Sequence, residues 1–159
     1  MRNTKHGLDA WIGNLDRHHE NWAILLSDPT ANQQRAVLCP TFDHASCLAH
    51  SLTDAEREKR LTTKDRGYAV AAFVRKARCA LYLTESAAKP MFTSEAFREA
   101  ASRRPLAGRF WLDTLRHISV KDWEASVDRV PDNVMSPICR QFAKMMLAYN
   151  HADLSNLGI

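Results

Sequence analysis

Ile12-Gly13-Asn14-Leu15-Asp16-Arg17-His18-His19-Glu20-Asn21, read together with Thr41-Phe42-Asp43, decides the fold of this chain. An aspartate stands five residues before an asparagine; an apolar run, a turn and a second aspartate follow. The runs Trp22-Ala23-Ile24-Leu25-Leu26 and Arg35-Ala36-Val37-Leu38 flank the turn formers Ser27-Asp28-Pro29-Thr30-Ala31-Asn32. Apolar runs of this length around such a cluster predict a β-hairpin. A hairpin here returns the chain so that Asp43 lies beside Asn21. The three side chains then suit one chemistry. A carboxylate at Asp16 can face a hydroxyl and accept its proton. An amide oxygen at Asn21 and a carboxylate at Asp43 can hold Mg²⁺, a hard cation that takes few protein oxygens and completes its shell with phosphate and water.

This is the order in which protein kinases carry their catalytic base and magnesium ligands, and γ-phosphoryl transfer asks protein mainly for positioning and neutralisation of charge. A bare Asp-x4-Asn with a later Asp recurs by chance, but the wording here is narrower. Gly13-Asn14-x-Asp16-x-His18-x-x-Asn21 followed by Pro40-x-Phe42-Asp43 closely resembles the catalytic core of HipA-like, toxin-type bacterial serine/threonine kinases. Phosphatidylinositol-type lipid kinases share the Asp-Arg-His portion but continue with a DFG-like motif. His44 after Asp43 fits the HipA-like wording better. The motif covers residues 12 to 47, and the remainder is compatible with the helical C-terminal half of that family. The resemblance implies Asp16 as catalytic base, His18 as a residue orienting the loop, and Asn21 and Asp43 as metal ligands. It also implies ATP as phosphoryl donor, Mg²⁺ as cofactor and a protein serine or threonine as acceptor.

The same family places a phosphate-covering loop and an ATP-orienting lysine in an N-terminal half. This chain has five glycines and no Gly-rich cluster, and no lysine before Asp16 stands in a strand context; Lys5 sits at the start of a helix. The resemblance therefore reaches one lobe, a single HipA-like C-terminal domain over residues 1–159 that needs an N-lobe from a separate chain or from beyond this sequence. A HipB-like antitoxin is the other partner the family implies; no DNA-binding segment is visible here.

Composition agrees with one compact unit. At 159 residues with 45% apolar residues the chain can bury a real core. No apolar run approaches the roughly 20 residues of a membrane span, and Met1-Arg2-Asn3-Thr4-Lys5-His6 has no hydrophobic signal region. Cys39, Cys47, Cys79 and Cys139 form no C-x-x-C pair, so reduced thiols and a cytoplasmic location are expected. A net charge of +4 permits phosphate binding without announcing nucleic acid.

Helical signals dominate around and after the motif, giving a mainly α fold with one short β-hairpin, like a kinase C-lobe. Leu8, Trp11, Ile12 and Leu15 repeat at helical spacing and predict a helix running into the Asp16 loop. Thr53-Asp54-Ala55-Glu56 is a capping-box pattern opening a short charged helix through Arg60. Val70, Phe73, Val74, Ala77 and Leu81 predict one face of the next helix. Thr93 is a candidate cap for a helix from Ser94 to Ser102, and Pro105 suits the first position of one reaching about His117. Ser119 opens a helix with Val120, Trp123, Val127 and Val130 on one side. Ser136-Pro137 starts the last helix, with Ile138, Phe142, Met145 and Tyr149 on one stripe. Pro90, Pro105 and Pro131 mark turns, and Trp11, Trp111 and Trp123 are expected in the core.

Plainer readings stand beside the chemical ones. Asp16 can be a turn aspartate, Asn21 a turn residue and Asp43 a cap. His18 and His19 beside two acids invite zinc, but adjacent histidines diverge on most backbones and zinc ligands follow recognisable spacings. Arg103, Arg104, Arg109 and Arg116 read as a solvated face, and His44 as structural. Three function classes follow: the C-lobe of an ATP-dependent serine/threonine kinase; a catalytically inactive kinase remnant or interaction domain; and a metal-dependent phosphohydrolase using Asp16, His18 and Asp43.

Overall fold

A computed structural model describes residues 5–27 and 35–158. Of the connection expected at Ser27–Asn32, all but Ser27 lies outside the described residues. The chain runs α1 (Lys5–Ile12), a 3₁₀ turn (His19–Asn21), β1 (Ile24–Leu26), β2 (Ala36–Leu38), α2 (Asp54–Thr62), α3 (Val70–Arg75), α4 (Thr93–Arg103), α5 (Pro105–His117), α6 (Val120–Asp128) and α7 (Pro137–Ser155). The fold is mainly helical and kinase-like, with one two-stranded antiparallel sheet pairing Ile24 with Leu38 and Leu26 with Ala36.

Helix α7 is the axis of the body. Helices α1, α2, α3, α5 and α6 all pack on it, while α4 packs against α1 and α5. Its buried face is correspondingly wide: Phe142, Ala143, Met146, Leu147, Asn150 and Leu154. The narrower stripe expected from Ile138, Phe142, Met145 and Tyr149 is displaced, and Tyr149 is exposed. A helix contacted on several sides buries adjacent rows of side chains, which a single-face pattern does not anticipate. One cluster joins Ala10, Phe97, Leu112, Leu115 and Leu154; a second joins Val70, Val74, Phe142 and Met146. Trp111 and Trp123 are buried, and half-buried Trp11 donates its indole N–H to the Leu147 carbonyl at 3.2 Å.

Several boundaries follow the local chemistry. Thr53 caps α2 as expected: its Oγ1 accepts from the Glu56 N–H at 3.3 Å, and Glu56 accepts from the Thr53 N–H at 2.8 Å. Ser136 accepts from the Cys139 N–H at 3.1 Å with Pro137 at the first position of α7. Helix α3 is shorter than its periodicity implies, because Lys76 closes it by bonding back to Phe73 and Val74. Ala77 and Leu81 instead lie in a loop that turns back on itself, with Arg78 bridged to Phe92 and the Cys79 N–H bonded to the Met91 carbonyl at 3.0 Å. Thr93 does not cap α4; it is the buried first residue, and Glu95 reaches back to the Phe92 N–H at 2.8 Å. Leu15 and Val130 fall beyond their helices, and Val120 is exposed. All four cysteines are free. Among the described residues, no helix is long and apolar enough to cross a membrane.

Candidate functional site

Helix α1 stops because Gly13 takes a left-handed conformation (φ +64°), one that glycine adopts without steric penalty. The chain then enters the Asp16 loop, which is sewn to the segment after β2. The Leu15 N–H bonds the Ser46 carbonyl at 3.0 Å, and the Leu48 N–H bonds the Ile12 carbonyl at 3.0 Å. Asp43, Leu48 and Ala49 are non-glycine residues at positive φ (56°, 49° and 55°). Left-handed backbone in L-residues costs roughly 1–2 kcal/mol each, least for Asp, so the surrounding bonds must hold this segment in shape.

What holds it is a buried ion pair absent from the sequence expectations. Arg17 is fully buried and Asp9, on the last turns of α1, is nearly so. The Asp9 carboxylate accepts from Arg17 Nε (2.8 Å), Arg17 Nη2 (2.9 Å) and Asn14 Nδ2 (2.9 Å). The rest of the guanidinium reaches forward: Nη1 donates to the carbonyls of Asn21 (3.0 Å) and Phe42 (3.1 Å), and Nη2 donates to His44 Nδ1 (3.1 Å). One planar fork therefore ties α1, the turn bearing Asn21, and the residues on both sides of Asp43. Asp9 and Arg17 are positioning residues. Their signal in the sequence was weak: an aspartate inside an amphipathic helix, and an arginine eight residues on.

The expected residues meet in part. Asn21 is buried, and its Nδ2 donates to Asp43 Oδ2 at 2.5 Å, so the hairpin does return Asp43 to Asn21. Asn21 Oδ1 accepts from the His18 N–H at 3.2 Å, closing the 3₁₀ turn. The His18 ring Nδ1 accepts from the Glu20 N–H at 3.3 Å, and its Nε2 lies 4.0 Å from Asp16 Oδ2. The Asp16 side chain is more than half exposed. Its carboxylate accepts no hydrogen bond among the described residues, and its backbone N–H is held by Asn14 Oδ1 at 3.2 Å. His44 bridges Arg17 and lies 3.7 Å from Asp9, which gives it the structural place expected. His6 of α1 stacks near Trp22, and burial pulls its pKa below the ordinary histidine value.

Asn21 and Asp43 offer an amide and an exposed carboxylate, a donor set that fits a hard divalent cation sharing its shell with phosphates. With Nδ2 turned to Asp43 the amide serves as a donor; a half-turn of the amide sets its oxygen beside the carboxylate instead. Among the described residues, no group of three or more His, Cys, Asp or Glu side chains forms a metal cluster of its own.

Among solved structures, the chain is similar to the proinflammatory kinase CtkA of Helicobacter pylori. The match has a TM-score of 0.65 at 21% identity and covers 98% of this chain and 53% of that one. The chain thus spans about half the length of that kinase, and the likeness establishes the kinase-like fold. No protein-family model matches the chain, and no curated protein matches it significantly.

Proposed function

We propose that this chain is the catalytic lobe of a HipA-like, ATP-dependent protein serine/threonine kinase, the whole of residues 1–159 forming one C-terminal domain. The observation that carries the reading is the 2.5 Å contact of Asn21 with Asp43, clamped by Arg17 next to an exposed Asp16. In this reading Asp16 orients the acceptor hydroxyl and takes its proton on a carboxylate oxygen, a role its freedom from internal hydrogen bonds leaves open. His18 keeps the loop in register through its backbone N–H and ring, and Asn21 and Asp43 are the cation ligands. A divalent cation bound there with ATP supplies neutralisation of the phosphate charge.

The phosphate-covering half comes from another chain or another part of a longer protein. Two features support this. The fold neighbour is about twice as long. The hairpin beside the site also leaves Ile24, Leu25 and Leu26 of β1 and Val37 of β2 exposed, on both faces of a sheet that has only two strands. Two-stranded sheets with bare apolar faces are marginal in water unless something packs on them.

Manganese tests the metal assignment on the chain itself. In ¹H–¹⁵N spectra, added Mn²⁺-ATP should broaden the amides of Asn21, Phe42, Asp43 and His44 while sparing α6, and Asp43→Ala should remove the effect. Broadening that ignores Asp43→Ala, or that centres elsewhere, contradicts the assignment.

A further inference from the structure

A second concavity lies between α2, α3 and the segment leading into Asp16. Its volume is about 400 Å³, within the range of small-molecule sites. The floor is apolar: Leu15, Ala49, Phe73, Ala77 and Met146. Arg60, Lys76 and Arg78 stand in the wall, and no carboxylate lines it. Elsewhere arginines and lysines pair with acids, as in Arg57–Asp54, Arg103–Glu99, Arg140–Asp132 and Lys144–Asp128. Among the described residues, none of the three cations of the cavity lies in an ion pair. Glu56 feels Arg60 electrostatically, but its carboxylate is committed to Thr53 in the α2 cap.

Two of the cations are held in place by other contacts. The Arg60 guanidinium lies 4.2 Å from the Tyr68 ring centroid and 4.7 Å from that of Phe73, and its Nη1 donates to the Tyr68 carbonyl at 3.0 Å. Arg60 Nε is buried with no partner among the described residues. Arg78 stacks 3.7 Å from the Phe92 centroid and bonds the Pro90 carbonyl. Each guanidinium still has N–H groups to give, and Lys76 is exposed with its ammonium uncommitted. Fixed cations around an apolar floor attract a ligand with the opposite charge pattern, an anionic head on an apolar body.

We infer that this cavity is a ligand site separate from the Asp16–Asn21–Asp43 cluster, and that it takes a small amphipathic anion, a phosphate or carboxylate head carried on an aromatic or aliphatic body. The head meets Arg60, Lys76 and Arg78, and the body covers Phe73, Ala77 and Met146. Because Gly13 and Leu15 line the same cavity, an occupant also braces the segment that delivers Asp16. The inference does not depend on phosphoryl transfer.

The test uses the whole chain and 1-naphthyl phosphate as probe, titrated by calorimetry with EDTA present so that no cation can recruit phosphate to Asp43. Saturable one-to-one binding is expected, at least about tenfold tighter than for 1-naphthol or 1-naphthylmethylamine. Lys76→Glu should weaken it by about tenfold or more, since an attractive charge becomes a repulsive one. Ala77→Leu, which fills the floor without touching a charge, should weaken it too, with circular dichroism confirming the fold of each variant. Asp16→Asn and Asp43→Asn should bind as the parent does, so the kinase reading can fail without this one. The inference is overturned by absence of saturable binding up to millimolar probe. It is also overturned if the neutral or cationic analogue binds equally, or if binding ignores both Lys76→Glu and Ala77→Leu.

Discussion

Arg17 carries more of the site than any of the residues that first drew notice. A buried guanidinium with six polar contacts is stable only while Asp9 neutralises it. Removing one member of a buried pair leaves the other charged and unpaired, which costs about 3–5 kcal/mol, whereas replacing both with apolar residues is often far milder. Arg17→Met should therefore lower unfolding free energy by about that amount in urea titration, and Asp9→Leu combined with Arg17→Met should recover part of it. An Arg17→Met chain as stable as the parent would remove the ion pair from the account. At this scale the sequence was informative about Asp16, His18, Asn21 and Asp43, whose types and spacing state their chemistry. It was silent about Asp9 and Arg17, because a buried ion pair between a helix and a loop leaves no periodic trace.

Elements form where local signals and packing agree, and drift where packing decides. The Thr53 and Ser136 caps and the helix opened by Pro105 sit where their sequences place them, since capping is a contact among neighbours. Helix α3 and the buried face of α7 departed from their patterns, because the turn after Lys76 and the ring of helices around α7 are tertiary facts. The α2 cap also has a pH signature. Hydrogen bonds from the Thr53 backbone, then from its side chain, hold the Glu56 carboxyl below its ordinary value, and a hydrogen bond from Ser136 does the same for Asp54. Groups with depressed folded pKa values contribute stability that is complete above the ordinary carboxylate pKa and is lost as pH falls through the folded one. Thr53→Ala should cost about 1 kcal/mol near neutral pH. It should also flatten the acid limb of stability against pH below the usual glutamate range; an unchanged limb would contradict the cap's role. Gly7 offers a packing test on α1. A Cβ there would collide with the indole of buried Trp111, so Gly7→Ala should destabilise by about 1–3 kcal/mol despite alanine's better helix propensity. A gain in thermal midpoint would show that α1 and α5 are less closely seated.

For the whole molecule, the description joins a helical body organised on α7, a candidate phosphoryl-transfer cluster locked at one end by Arg17, and an uncovered apolar hairpin beside it. The central claim is that Asp16 is the proton acceptor of a kinase completed by a second half. Complementation tests this most directly: the chain is combined with the matching N-terminal half, and transfer from radiolabelled ATP to protein serine or threonine is followed for the parent and for Asp16→Asn. Asp16→Asn preserves size and packing on an exposed side chain, so loss of folding should not intervene. The account predicts transfer by the parent pair and a fall of roughly 10²–10⁴ in turnover for Asp16→Asn, the usual worth of general-base assistance. Full turnover by the Asp16→Asn pair would contradict it, and a well-folded parent pair without any transfer would leave the chain as a binding domain built on a kinase fold.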